Sequence, residues 1–374
     1  MKLSCLQENL SKGLSTVCRV VPAAGSLPVL SNVLLQTDEG RLKLQATDLE
    51  TGVTTWVGAK ISEEGSITVP AKVFSRLVAN LSPGEITLEV KRQTLFLKSS
   101  SVESEFNGLS AKEFPELSVL PVSGGFALQS RDLKEGIEGV VFAAAQDEGR
   151  PILTGVLFRG QEKELTLVGV DGFRLAEKKL RFDKNIPPVD LVVPARTLRE
   201  LALILGKEGK DVRIFQVGDE NQILFGVGDV CFSSRILEGE FPNYQEIVPA
   251  EFSTQFKLPR EGFLKAVQLA SLFAEGGANV VRIALSPSEG LISVSANAPE
   301  IGNNKVEVRG DGEGEEAKIA FNAHYLIDCL SALSSEQVVF EMTESLKPAA
   351  VYPVLDSKDS KDCFHVVMPV RVQE

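Results

Sequence analysis

The sequence predicts an α+β protein of three similar domains, each with two helices packed on antiparallel sheet. Three features carry that expectation: an internal repeat, recurring pairs of amphipathic helical stretches, and alternating apolar runs between them. Residues 151–176, PILTGVLFRGQEKELTLVGVDGFRLA, repeat residues 28–53, PVLSNVLLQTDEGRLKLQATDLETGV, without a gap at a shift of 123. Pro28, Leu30, Val33, Leu34, Leu42, Leu44 and Asp48 fall on Pro151, Leu153, Val156, Leu157, Leu165, Leu167 and Asp171. A fainter third copy sets Ile283, Leu285, Gly290, Ile292 and Val294 on Val33, Leu35, Gly40, Leu42 and Leu44 at a shift of 250. A period near 125 in 374 residues gives three units, expected at 1–122, 123–250 and 251–374.

Each unit opens with a short strand and then a helix whose apolar residues recur at helical spacing. The first carries Leu10, Leu14, Val17, Cys18 and Val21, the second Leu133, Ile137, Val140, Val141 and Ala144, and the third Phe263, Val267 and Ala270. Alternating runs such as Arg41–Ala46 and Glu164–Val168 follow, suited to half-buried antiparallel strands. A second helix then starts at Val69-Pro70-Ala71-Lys72 and at Val193-Pro194-Ala195-Arg196, where proline suits a first turn that needs no N–H. The third unit has Asn322 there as a candidate N-cap. These helices are expected to bury Phe74, Leu77, Val78 and Leu81, then Leu198, Leu201, Ala202 and Leu205, then Leu326, Leu330 and Leu333. More alternating strands close each unit, and the matching connectors 113–121 and 240–249 both start Glu-Phe-Pro. The acidic, glycine-rich piece 310–316 reads as a solvated loop.

Lys plus Arg number 39 and Asp plus Glu 51, a net charge of −12, so the bulk field repels nucleic acid and anionic membranes. Any DNA contact must use a locally basic face. The basic residues set off the apolar stripes repeat from unit to unit: Lys12, Arg19, Lys72, Arg76, Arg196, Lys207 and Lys265. No apolar run approaches the roughly 18 residues that span a bilayer, and MKLSCLQENL lacks the apolar segment of a secretory signal, so a cytoplasmic protein without a membrane partner is expected. Five scattered cysteines without a C-x-x-C pair read as reduced structural residues.

Catalysis finds little support. Only His324 and His365 are present, neither at metal-ligand spacing with a second histidine or a cysteine, and Gly226-Val227-Gly228 lacks the lysine of a phosphate loop. Asp171-Gly172-Phe173 reads as a turn. No metal and no cofactor are expected. Leu272 and Phe273 fall on or beside the polar side of the third unit's first helix, which points to an interface unless they tuck under the loop 274–278.

The three repeats, the segments Thr47-Asp48 and 170–175, the Val-Pro-Ala helix starts and the ending 366–372, VVMPVRV, together resemble the bacterial sliding clamp family, the beta subunit of DNA polymerase III. The resemblance covers essentially the whole chain. It implies three like domains forming a crescent, two crescents closed head to tail into a homodimeric ring, and helices lining a hole that holds duplex DNA without regard to sequence. The basic residues above would face the DNA. Leu272 and Phe273 would close the ring against a first-domain strand that includes Ser104 and Phe106, and this interface would lie at the opposite end of the third domain from the ending 368–374.

The resemblance also implies a groove for short peptides with a glutamine followed by apolar residues, carried by polymerase subunits, clamp-loader subunits and other proteins with that motif. Its walls would be Leu153, Val170, Gly172, Phe173, Arg174, Leu175, Pro242, Ile247, Pro348, Val366, Met368, Pro369, Val370, Arg371 and Val372. Phe173 stands where the family often has histidine, Glu246 where it often has arginine, and Asp147 where it can have glutamine; Gln373 and Glu374 extend past its usual end. The implied role is a non-catalytic processivity subunit. The rival reading is a repeat-built scaffold that binds peptides and encircles nothing.

Overall fold

The structure, a computed structural model, describes all residues except 24–26, 122, 148, 207–209, 218–220, 250, 275–278, 356–357, 360 and 373–374. Among the described residues there are six α-helices: α1 (Gln7–Val17), α2 (Ala71–Ala79), α3 (Ser130–Glu138), α4 (Ala195–Ile204), α5 (Arg260–Ser271) and α6 (Ala323–Ala332). They come two to a repeat, as the periodicity predicts. The chain divides into two compact units, Met1–Leu133 with Arg196–Ile236, and Lys134–Ala195 with Leu237–Glu374. The division runs through α3 and α4, so the central repeat supplies strands to both units.

Unit 1 holds one antiparallel sheet of twelve strands. Its spine is the long strand Thr51–Glu63, which pairs with Lys2–Leu6 along one stretch and with Val230–Arg235 along another. The sheet begins at the edge strand Glu103–Asn107 and its longest path ends at Phe126–Gln129. α1 packs on α2 and across this sheet, burying Leu10, Leu14 and Val17 completely. Each such side chain contributes roughly 1.5–3 kcal/mol by leaving water.

Unit 2 repeats this pairing of strands from successive repeats. A ten-stranded sheet pairs Arg174–Arg181 with Cys363–Val367, and a separate four-stranded sheet carries Gly302–Arg309 at its edge. In unit 1 Thr51 lies opposite Ser234 and in unit 2 Arg174 lies opposite Val367, so the shift of 123 holds at the level of strand register. α5 packs against α6 over Phe256, Phe263, Phe321 and Phe340, and the Phe340 ring meets those of Phe263 and Phe321 edge to face.

Several local expectations change. α3 stops at Glu138, and Val141–Ala143 form a 3-10 turn instead of continuing the stripe, because glycines at 136 and 139 weaken a helix interior. Pro70 and Pro194 end strands and immediately precede the first helical residue. Leu77 is only half-buried. The acidic piece 310–316 is not a loop throughout: Asp311–Gly314 is a strand against Thr254–Pro259. Glycine is needed there because a Cβ at Gly312 would come within 2.4 Å of the Phe256 ring. Asn322 does cap α6, accepting from the His324 N–H at 2.9 Å. All five cysteines are free. No helix among the described residues is long and apolar enough to cross a membrane.

Candidate peptide groove and nucleic-acid face

The residues of the candidate groove in unit 2 gather around the turn at Asp171. The carboxylate Oδ1 accepts from the backbone N–H groups of Phe173 and Arg174 at 2.8 and 2.9 Å, and Gly172 adopts φ 91°, a left-handed conformation cheap for glycine. Arg174 turns inward. Its side chain is 6% exposed, donates from Nε to Asp171 at 3.0 Å and from Nη1 to Asp328 at 2.5 Å, and lies over the rings of Phe142 and Tyr325. Burial disfavours the guanidinium charge, but Asp328 and Asp171 outweigh it and raise its pKa. Arg174 therefore braces the turn from within. Phe173 is left 60% exposed, stacked beside Tyr325 with ring centroids 6.1 Å apart.

The ending of the chain runs alongside. After Cys363–Val367, the Met368 N–H donates to the Phe173 carbonyl and the Val370 N–H to the Ala320 carbonyl, both at 2.8 Å. Leu153, Val170, Leu175 and Val366 share one buried cluster with Tyr244. Burial and the neighbouring Glu177 push the Tyr244 phenol up, and burial likewise raises the Glu177 carboxyl. Met368, Pro369 and Val370 are half-buried, while Arg371 and Val372 are exposed. Pro242 and Ile247 flank Tyr244 in sequence and are exposed; Pro348 precedes Ala349, which pairs with Val367. The result is an apolar floor with adaptable walls and a fixed backbone turn, the composition that suits an apolar peptide anchor. Sequence reading missed Tyr244, Tyr325, Phe142 and Asp328. Of these, only Tyr244 carried a signal, as the aromatic within the repeated connector.

Unit 1 contains the same backbone device. Asp48 Oδ1 accepts from Glu50 and Thr51 at 3.1 and 2.7 Å, Leu49 takes φ 79° where Gly172 stands, and the Arg235 N–H donates to the Glu50 carbonyl at 2.8 Å as Met368 does to Phe173. The side chains differ. Glu50, Gly52, Ser233 and Arg235 occupy the places of Phe173, Leu175, Val366 and Met368. Leu117 lies where a Cβ on Gly52 would meet it at 3.1 Å. One backbone design thus carries mainly apolar side chains in unit 2 and mainly polar ones in unit 1.

The basic residues are surface groups. Lys12, Arg19, Lys72, Arg76 and Arg196 are exposed in unit 1, and Lys265 is exposed in unit 2; Lys207 lies outside the described residues. Arg19 lies 3.8 Å from Glu200, a partly exposed pair of small energetic weight.

The ring-closing candidates separate by burial. Leu272 is 55% exposed. Phe273 is half-buried and packs against the core of its own unit, although the loop 275–278 lies outside the described residues. Phe106 is buried within its own unit, with its ring edge-on to Phe74 at 5.2 Å. Strand alternation accounts for this, since Glu103 and Glu105 face outward while Ser104 is half-buried and Phe106 buried. What the strand Glu103–Asn107 offers is its unpaired backbone edge. The expected separation of the two sites also changes. Phe273, Ile301 and Val372 line one cleft, so the end of the chain reaches from the groove to this surface.

Comparisons with known proteins cover the whole length. Residues 1–118, 127–243 and 245–371 match the N-terminal, central and C-terminal domains of the DNA polymerase III beta subunit family. A beta sliding clamp of Synechococcus elongatus is 33% identical over 378 residues, covering 100% of both chains. That of Bacillus subtilis is 30% identical, covering 99% of this chain and 100% of its own. Among solved structures, the DNA polymerase sliding clamp of Bacillus subtilis superposes with a TM-score of 0.94 at 29% identity, covering 100% of both chains. A Pseudomonas aeruginosa sliding clamp bound to griselimycin gives 0.92 at 30% identity, again with 100% coverage of both.

Proposed function

The chain belongs to the DNA polymerase III beta subunit family, and on that premise we propose that it is a non-catalytic sliding clamp, closing as a homodimer around duplex DNA and tethering polymerase and clamp-loader subunits. The observation that carries this reading is full-length agreement with proteins named sliding clamps, three family domains in register with the three repeats. A scaffold that encircles nothing has no comparable support.

Closure would join the edge strand Glu103–Asn107 of one copy to the surface around Leu272 on the other, a heterologous contact that closes only if each copy subtends half the ring. DNA would be held by Lys12, Arg19, Lys72, Arg76, Arg196, Lys207 and Lys265 through phosphates, which is blind to sequence. Peptides would dock at 170–175 and 366–372, with Phe173 and Met368 as apolar walls and Gly172 leaving room for a ligand backbone. The work is done on bacterial DNA, hence in the cytoplasm. Mass in solution tests the assembly: light scattering should give a species near twice 40.4 kDa at modest concentration. A monomer at every concentration tried would remove the ring.

A further inference from the structure

The candidate peptide groove takes part of its floor from an acidic segment. Residues 237–251 include Glu238, Glu240, Glu246 and Glu251 and neither lysine nor arginine. Within that segment the 3-10 turn Tyr244–Ile247 lays Tyr244 into the buried cluster with Leu153, Val170, Leu175 and Val366, and leaves Glu246 and Ile247 exposed. Glu246 therefore stands on one short turn with a floor residue, Tyr244, and a proposed wall residue, Ile247.

The Glu246 carboxylate is held in place without being neutralised. Its Oε1 accepts from the Asn243 side-chain amide at 2.8 Å, and neither Glu246 nor Glu240 forms an ion pair among the described residues. Cations close by have other partners. Arg174 is turned inward onto Asp171 and Asp328, and Arg159, whose field reaches the Tyr244 phenol, pairs with Asp190 at 3.3 Å. Arg371 is exposed, but on the chain's end beyond Val370. Counted from the shared Glu-Phe-Pro starts, the first connector has Val119 where the second has Glu246, so the repeat itself requires no carboxylate there.

Resting on the clamp reading, we propose that Glu246 selects among partner peptides: an extended segment docks best when a lysine or arginine stands among its apolar anchors, and a carboxylate in that place is rejected. The anchors supply most of the affinity, while the charge sets the preference by attracting one class of peptide and repelling the other. An exposed charge is screened, so the preference fades as salt rises.

Fluorescence anisotropy on the full chain with two labelled peptides, Gln-Leu-Lys-Leu-Phe and Gln-Leu-Glu-Leu-Phe, tests this at low and high salt. At low salt the parent should bind the lysine peptide about fivefold more tightly, the scale of one exposed charge pair gained against one repelled. Glu246→Gln, which can still accept from Asn243, should bind the two peptides within about twofold of each other, and Glu246→Arg should reverse the order. Glu246 is exposed, so the melting temperature should not move in either variant. A lysine preference that survives in Glu246→Gln would assign the selectivity elsewhere and overturn the proposal. If the parent binds both peptides alike, the groove stands and the role of Glu246 falls; if it binds neither, the groove reading itself is wrong and the proposal falls with it.

Discussion

Phe173 and Glu50 occupy the same place in two copies of one turn, and the proposed peptide site rests on the apolar one. Replacing Phe173 by Glu should lower affinity for a Gln-Leu-x-Leu-Phe peptide at least tenfold, about 1.4 kcal/mol, with the melting temperature unchanged because the ring is 60% exposed. Unchanged binding by anisotropy would take Phe173 out of the groove. Arg174→Ala should behave differently, since it strips Asp171 of a buried partner and costs about 3–5 kcal/mol in denaturant unfolding. His365 supplies a pH dependence. It is fully buried and donates from Nε2 to the Gly139 carbonyl at 3.0 Å, with the Phe142 ring edge-on and the Cys363 thiol 3.9 Å away. Burial lowers its pKa from 6.5 to about 4. Between those values the unfolded chain binds the extra proton and the folded chain does not, so stability falls as pH drops through that window, by on the order of 3 kcal/mol. A His365→Phe variant should unfold with a shallower pH dependence between 7 and 4; an identical profile would assign the acid lability elsewhere. Of these residues the sequence exposed Asp171 through its repeat of Asp48, and Gly172 through the family resemblance alone, since Leu49 holds its place in the first copy. It hid the inward turn of Arg174, which depends on Asp328 and Tyr325 far along the chain.

The end of α5 and the strand Glu103–Asn107 show what periodicity can and cannot reveal. Helical phase places Leu272 off the apolar stripe, and it is exposed; the same phase does not reveal that Phe273 folds back on its own core. Leu272→Asp alone is therefore the clean probe of ring closure. It should shift the dimer to a folded monomer by light scattering, because a desolvated, unpaired carboxylate at an interface is strongly unfavourable. A dimer of unchanged concentration dependence would place the interface away from α5. The resemblance placed Phe106 on a strand, but which face of it is buried depends on Phe74, a partner on α2. The glycine-rich strand Asp311–Gly314 was illegible for a related reason: its composition signals a loop, and only the Phe256 ring beneath Gly312 explains why glycine sits in a sheet.

Across the whole molecule, the repeat made the fold class readable, because identical spacing of Asp48 and Asp171 reflects identical turns, registers and crossing hydrogen bonds in the two units. The continuity of sheets from one repeat into the next was not readable, since strand pairing across a repeat boundary leaves no periodic trace. The charge pattern fits a clamp held on by topology. An acidic chain of net charge −12 with a few exposed cations on its helix faces can make only a few phosphate contacts, so binding to linear duplex should be weak and fall with salt at about −0.9 per contacted phosphate. Retention after loading separates topology from affinity. Protein loaded onto a nicked circle should stay bound through gel filtration, and should be released once the circle is cut to leave free ends. Equal retention on circular and linear DNA would contradict encirclement.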